Sequence, residues 1–255
     1  MASPLSRGGF LETLKKGQLT VGTFLGLASP LAAEVAAVNG VDWVLLDLEH
    51  GGGGEEQVSP TVVASGGYGV PTLVRVESYE RIRIGRVLDA GVAGVMIPRV
   101  DTVEEVKAAV KHMSYPPNGD RGVATYNRAV AWGKDLEALN PVSKSACLIQ
   151  IETLGALAAV EEIAAVPGVD ALFVGPLDLS YALGVPRDFK NPKFLEALQK
   201  VLDAANAQNK VAGILASDTT IARFYVEMGF KFIAIGSDST LMAKAISDAV
   251  TEIRK

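Results

Sequence analysis

Short apolar runs alternate with longer stretches of helical periodicity along the whole chain. Eight runs read as strands, at residues 19–25, 43–48, 71–76, 94–98, 146–151, 171–174, 210–215 and 232–235. Several carry almost no polar interruption, as in WVLLDL and ALFVG. Strands buried on both faces look like this, so the pattern predicts a parallel sheet covered by helices. Helical stretches fill the gaps. PLAAEVAAVNG stops at Gly40 and YERIRIGRVLDAG at Gly91. TVEEVKAAVKHM opens on Thr102 with Glu105 three residues on, the spacing of a capping box. Further helices are expected in LGALAAVEEIAAVPG, at 192–208, in DTTIARFYVEMGF and in LMAKAISDAVTEIRK. Eight strand–helix units predict an α/β fold, a closed (β/α)8 or TIM barrel rather than an open doubly wound sheet. No linker divides residues 1–255, which read as one barrel domain. The longest irregular region, about 114–145, is expected to carry function or short helices of its own.

Length agrees, since such barrels take roughly 250 residues and this chain has 255. With 49% hydrophobic and 21% charged residues it can build a sizeable core, which excludes a disordered chain. The net charge is -5 and no basic block is present, which sets nucleic acid aside as a partner. No run of 18 apolar residues occurs, so no membrane span is expected, and MASPLSRGGF lacks the apolar core of a signal peptide. The single cysteine, Cys147, excludes an intramolecular disulfide and fits a reducing, cytoplasmic location.

In such a barrel the active site lies at the C-terminal ends of the strands. Strand two ends Asp47-Leu48-Glu49-His50, followed by glycines at 51–54. A lone histidine is commonly a core-edge residue satisfied by a carbonyl, but the strand end favours a functional role for His50. The glycines lack the GK[ST] of a P-loop and are expected to form a flexible turn that lets a ligand approach the backbone. Arg75 falls inside the apolar LVRV, where an arginine is seldom buried unpaired. It serves equally as half of an ion pair with Glu49 or Glu77, or as a guanidinium aimed at a carboxylate or enolate. Gln150 and Glu152 are two apart in CLIQIE and share a strand face. Asp178 follows the Gly175-Pro176 turn after strand six. Carboxylates from adjacent strands suit Mg²⁺ or Mn²⁺, or are simply solvated loop residues. No Cys/His cluster has zinc spacing. His112, late in a helix, reads as solvated or as facing the helix dipole, and Asp89 as a solvated helix end.

Together VDWVLLDLEHG, PTLVRV, VLDAGVAGVMIPRVDTVEE, YPPNGDRG, IQIET and VDALFVGPLDLS resemble the HpcH/HpaI aldolase family. The likeness keeps order and spacing from about residue 24 to about residue 184. It implies a barrel of the phosphoenolpyruvate/pyruvate superfamily type, assembled as a trimer or hexamer with the last helix, about 240–255, exchanged between subunits. It implies a divalent ion, Mg²⁺ or Mn²⁺ with Co²⁺ also accepted, held by Glu152 and Asp178. His50 would be the base and Arg75 the transition-state arginine. Gln150, Gly175, Leu177 through its amide, and Asp178 would join Arg75 in binding substrate. Leu177 departs from the small residue common in the family. Asp47 or Asp89, the latter from a neighbouring subunit, would make His50 more basic.

The activity implied is reversible cleavage of a 4-hydroxy-2-oxo acid to pyruvate and an aldehyde through a metal-stabilised pyruvate enolate. His50 would accept the C4 hydroxyl proton while Arg75 adds positive charge at the developing oxyanion. A Schiff-base aldolase needs a lysine at a strand's C-terminal end, whereas Lys210 and Lys231 start their strands. Oxaloacetate decarboxylation or synthesis, or CoA-ester lysis, are alternatives on the same scaffold. A non-catalytic metabolite-binding barrel is a further one. The aldehyde partner would be set by loops and neighbouring subunits, with Tyr126, Asn127 and Arg128 as candidates. Arg121 is expected to pair across a subunit contact, while Arg128 serves equally such a contact or an acidic substrate tail.

Overall fold

The computed structural model describes residues 7–140 and 144–255. The strands are β1 (Thr20–Leu25), β2 (Trp43–Asp47), β3 (Thr72–Arg75), β4 (Gly94–Ile97), β5 (Ala146–Ile151), β6 (Ala171–Val174), β7 (Val211–Ala216) and β8 (Phe232–Ser237). The first helices are α1 (Arg7–Lys15), α2 (Pro30–Val38), α3 (Val58–Gly66), α4 (Arg81–Asp89) and α5 (Val103–Met113). They are followed by α6 (Leu154–Ala158), α7 (Val160–Ala165), α8 (Pro176–Ala182), α9 (Pro192–Ala207), α10 (Thr219–Met228) and α11 (Asp238–Ile253). Every strand pairs in parallel with its neighbours in sequence, and β8 returns to β1, closing the predicted barrel.

Strand period decides what faces the axis. Trp43 and Leu45 of β2 point inward with Leu73, Leu148, Phe173 and Phe232. Val44, Leu46, Val74 and Ile149 pack outward beneath the helices. Two residues further along, Asp47, Arg75, Gln150 and Gly175 inherit the inward face at the C-terminal mouth. The opposite end is plugged by α1, whose Phe10 and Leu14 join the inner cluster, with the Phe10 ring 6.0 Å from that of Phe232. The Trp43 and Phe232 rings lie 4.4 Å apart. Glycine at position 22 makes room for them, because a Cβ there would fall 2.1 Å from the Trp43 ring.

The seam between β1 and β8 has extra ties. Thr23 Oγ1 donates to the Ile235 carbonyl at 3.0 Å, and the Gly26 amide donates to Asp238 Oδ1 at 2.8 Å. A register shift between Gly22 and Phe24 carries β8 beyond the expected end at residue 235, so that Ser237 pairs with Phe24.

The helices depart from expectation in four places, the first being α1, which precedes β1 where no helix was expected. VSPTVVASG forms α3 although its β-branched, Ser, Pro and Gly content hides the helix from a propensity reading. LGALAAVEEIAAVPG is broken at Ala159 into α6 and α7, and the carbonyls of Leu157 and Ala158 accept from Lys200 Nζ at 2.9 and 3.3 Å. The short α8 starts directly after β6 with Pro176 in its first turn. As expected, Thr102 and Glu105 close a capping box, and the irregular region holds 3-10 turns at Arg128–Gly133 and Leu136–Leu139.

Candidate active site

Asp47 and Arg75 are register partners on adjacent strands, both facing the axis. Arg75 Nε donates to Asp47 Oδ1 at 2.9 Å and Nη2 to Oδ2 at 2.7 Å, a bidentate pair. Nη1 lies 3.2 Å from Glu49 Oε2. All three side chains are buried or nearly so, which makes the arrangement rigid. The guanidinium also sits 5.3 Å from the centre of the Phe24 ring. Asp47 Oδ1 further accepts the backbone amides of Glu49 and His50, at 3.1 and 3.3 Å. Asp47 was expected to act on the His50 imidazole; instead it bonds Arg75 and the backbone of the turn carrying His50. The acidic neighbour of the ring is Glu49, with Oε1 3.8 Å from His50 Nε2. Burial pushes the Glu49 carboxyl up, with Asp47 and Asp178 adding to the effect and Arg75 and His50 opposing it. The His50 ring is exposed at the mouth.

Across the mouth, Glu152 is 2% exposed. Gln150 Nε2 donates to its Oε2, and the Arg99 amide donates to its Oε1 at 2.9 Å. Arg99 holds that position with φ 55°, and its Nη1 lies 3.7 Å from Asp178 Oδ1. Burial pushes the Glu152 carboxyl up to about 7; the Arg99 amide and Arg75 oppose this, while Asp178 and Glu49 add to it. Glycine at position 175 leaves room for the ends of two side chains, since a Cβ would fall 2.4 Å from Glu152 Oε2 and 2.7 Å from Gln150 Nε2 and displace them. No side chain caps α8, so the amides of its first turn face the mouth uncapped. Leu177 and Asp178 lie on that turn, both substantially exposed.

Asp47, His50, Arg75, Gln150, Gly175, Leu177 and Asp178 line one cavity of about 490 Å³, with Glu152 behind it, bonded to Gln150. The donor set fits a hard divalent ion. Two carboxylates follow adjacent strands, Glu152 after β5 and Asp178 in the first turn of α8 after β6; Glu152 is buried with like charges nearby that a cation would relieve, and Gln150 Oε1 is buried with no partner among the described residues. Among the described residues no three His, Cys, Asp or Glu side chains cluster tightly enough to hold an ion alone. Two carboxylates leave the remaining positions to substrate and water.

Other residues fall elsewhere. Asp89 does not line this cavity; its Oδ1 accepts from Arg121 Nη2 at 2.7 Å within the same chain. Arg121 is 5% exposed with its guanidinium 4.5 Å from the Tyr115 ring centre, which corrects the expected intersubunit pairing. The contact spans 32 residues and leaves no local sequence signal. His112 Nδ1 lies 2.7 Å from Asp120 Oδ1, so it ties α5 to the following loop instead of being solvated. Arg128 stacks 4.7 Å over the Trp132 ring, and Tyr126 is exposed. The glycines at 51–54 do less for a ligand than expected, because Gly51 is packed on the Asp47 carbonyl and Gly52 donates to the Gly26 carbonyl at 2.8 Å. Lys210 sits at the strand-start end, with Nζ bonded to the Val166 carbonyl at 2.9 Å. Arg99 escaped the sequence analysis. A basic residue directly after an apolar strand, in MIPRV, was the available signal.

Comparison with known proteins gives the family and the fold. The family model for HpcH/HpaI aldolase/citrate lyase matches residues 20–245. The hydroxypyruvate/pyruvate aldolase of Pseudomonas aeruginosa is 36% identical over 97% of this chain and 92% of its own length. The 4-hydroxy-2-oxo-heptane-1,7-dioate aldolase of Salmonella paratyphi C is 34% identical, covering 93% of this chain and 91% of that protein. The crystal structure of a family protein from Burkholderia cenocepacia superposes with a TM-score of 0.92 at 34% identity, covering 97% of this chain and all of that one.

Proposed function

The chain belongs to the HpcH/HpaI aldolase/citrate lyase family, and from that premise we propose that it cleaves a 4-hydroxy-2-oxo acid to pyruvate and an aldehyde, and joins them in reverse. One observation carries this reading: Glu152, Asp178, a buried doubly paired Arg75 and an exposed His50 meet at a single barrel mouth. Glu152 and Asp178 would hold Mg²⁺ or Mn²⁺, with Co²⁺ also suited to the oxygen donors. When bound, the ion supplies Lewis-acid polarisation of the 2-oxo acid oxygens.

The side chains do the rest. His50 accepts the proton of the C4 hydroxyl as the C3–C4 bond breaks. The bonding pair passes into the enolate of pyruvate, and a proton returned to C3 completes the product. Arg75 presents fixed positive charge where the oxyanion develops, and its pairs with Asp47 and Glu49 remove the cost of orienting it during reaction. Gln150, Gly175 and the amide of Leu177 bind the pyruvate half, with glycine keeping the approach to Glu152 open. Asp89 acts on His50 only from a second subunit, since its own chain holds it outside the cavity. The family likeness supports a trimer or hexamer with α11 exchanged. So does α11 itself, which has no buried residue and exposes Leu241, Met242, Ile246 and Val250.

Coupled detection of pyruvate from a panel of 4-hydroxy-2-oxo acids tests the assignment, with protein stripped of metal and then restored with Mn²⁺. Release is expected only after restoration. Undiminished release from fully chelated protein would remove the metal role, and no release in either state would remove the aldolase.

A further inference from the structure

The same cavity extends beyond the reacting groups, over the ends of β6 and β7. Leu177, Phe189, Leu215, Ile221 and Tyr225 form its far wall. Phe189 is braced edge-on against Phe194, their ring centres 5.4 Å apart, and Tyr225 against Phe230 at 5.9 Å. Leu177 stands half exposed at the junction between this wall and Asp178. Among the described residues lining the cavity the only lysine or arginine is Arg75, already engaged by Asp47 and Glu49. Along the wall formed by Leu177, Phe189, Leu215, Ile221 and Tyr225 a carboxylate tail would meet no lysine or arginine side chain to pair with. The facing side carries Ser237, Ser239 and Thr240. Their hydroxyls bond one another, Ser237 Oγ lying 2.9 Å from Ser239 Oγ and 3.0 Å from Thr240 Oγ1 at the start of α11.

The geometry points to an aldehyde partner with an uncharged apolar tail, alkyl or aryl, seated on Leu177, Phe189, Leu215, Ile221 and Tyr225. This rests on the aldolase reading and names its substrate class. A pocket of this kind gains roughly tenfold in kcat/KM for each methylene it buries.

The experiment measures kcat/KM for 4-hydroxy-2-oxo acids of matched length bearing an alkyl, a polyhydroxyl or a carboxylate tail, with oxaloacetate as the tail-free control. The alkyl compound is expected to lead the other two by about tenfold or more. Ile221→Asp probes the wall; the residue is half-buried against the core, the first turn of α10 favours a carboxylate, and oxaloacetate turnover reports whether the variant is folded. It is expected to lower kcat/KM for the alkyl compound about tenfold more than for oxaloacetate. Ile221→Lys is expected to raise the carboxylate-tailed compound relative to the alkyl one. If a carboxylate or polyhydroxyl tail turns over fastest while oxaloacetate still yields pyruvate, the tail assignment falls and the aldolase stands. Equal loss on both substrates in Ile221→Asp also overturns the tail assignment. No pyruvate from any compound overturns both.

Discussion

At the scale of single residues, the mouth of the barrel divides labour between groups that move protons and groups that hold charge still. His50 is exposed and free to meet a substrate hydroxyl, so His50→Ala is expected to slow aldol cleavage by about 10²–10⁴-fold with the melting temperature unchanged. Near-normal turnover by folded variant would refute its role as base. Glu152 makes a different prediction. Its carboxyl is raised from an ordinary 4.5 to about 7 in the metal-free protein, first of all by burial. A raised carboxyl favours the protonated fold, so its stabilisation is complete below about 4.5 and is lost as pH climbs through 7. Glu152→Gln cannot ionise. In chelator, its stability relative to wild type should therefore rise between pH 5 and pH 8, by about 1–3 kcal/mol; a constant difference in urea midpoints would contradict this. Much of this site was legible in the sequence, because polar residues at the ends of apolar strands stand out against the pattern. What each polar group bonds to was not legible. Asp47 and Arg75 find one another through strand register, and Arg121 finds Asp89 through a loop, and neither pairing leaves a local trace.

At the scale of elements, the strands were read from sequence to within two residues, since both of their faces are buried and few polar residues blur their ends. Helices were harder. α3 has the composition of a loop, and α6 and α7 read as one helix because a break at Ala159 needs no glycine or proline. Neither the pairing of Gly22 with Trp43 nor the need for it could be seen before the register of β1 on β2 was known. Gly22→Ala is expected to destabilise by about 1–3 kcal/mol, as overpacked cores do, measured by urea denaturation. Trp43→Leu in the same chain should make the alanine less costly, because the clash is with the indole ring. Equal costs of the alanine in both backgrounds would place the strain elsewhere.

At the scale of the whole molecule, α11 leaves the barrel with its apolar residues uncovered. If a neighbouring copy covers them, Ile246→Asp should yield a smaller assembly than wild type by light scattering. Its cost to the isolated fold should stay within about 0.5 kcal/mol, as at exposed positions generally. Identical masses for the two proteins would end the exchange reading. The seam between β1 and β8 has a consequence in time. Its Gly26–Asp238 bond joins residues separated by 212 positions. At a synthesis rate of about 5–20 residues per second, the β1 edge waits on the order of 10–40 s for its partner to leave the ribosome. Any sheet formed in that interval would have two bare edges, the state in which strands recruit strangers. The yield of folded protein is therefore expected to rise when chaperone is added during synthesis, measured as the soluble fraction with and without it.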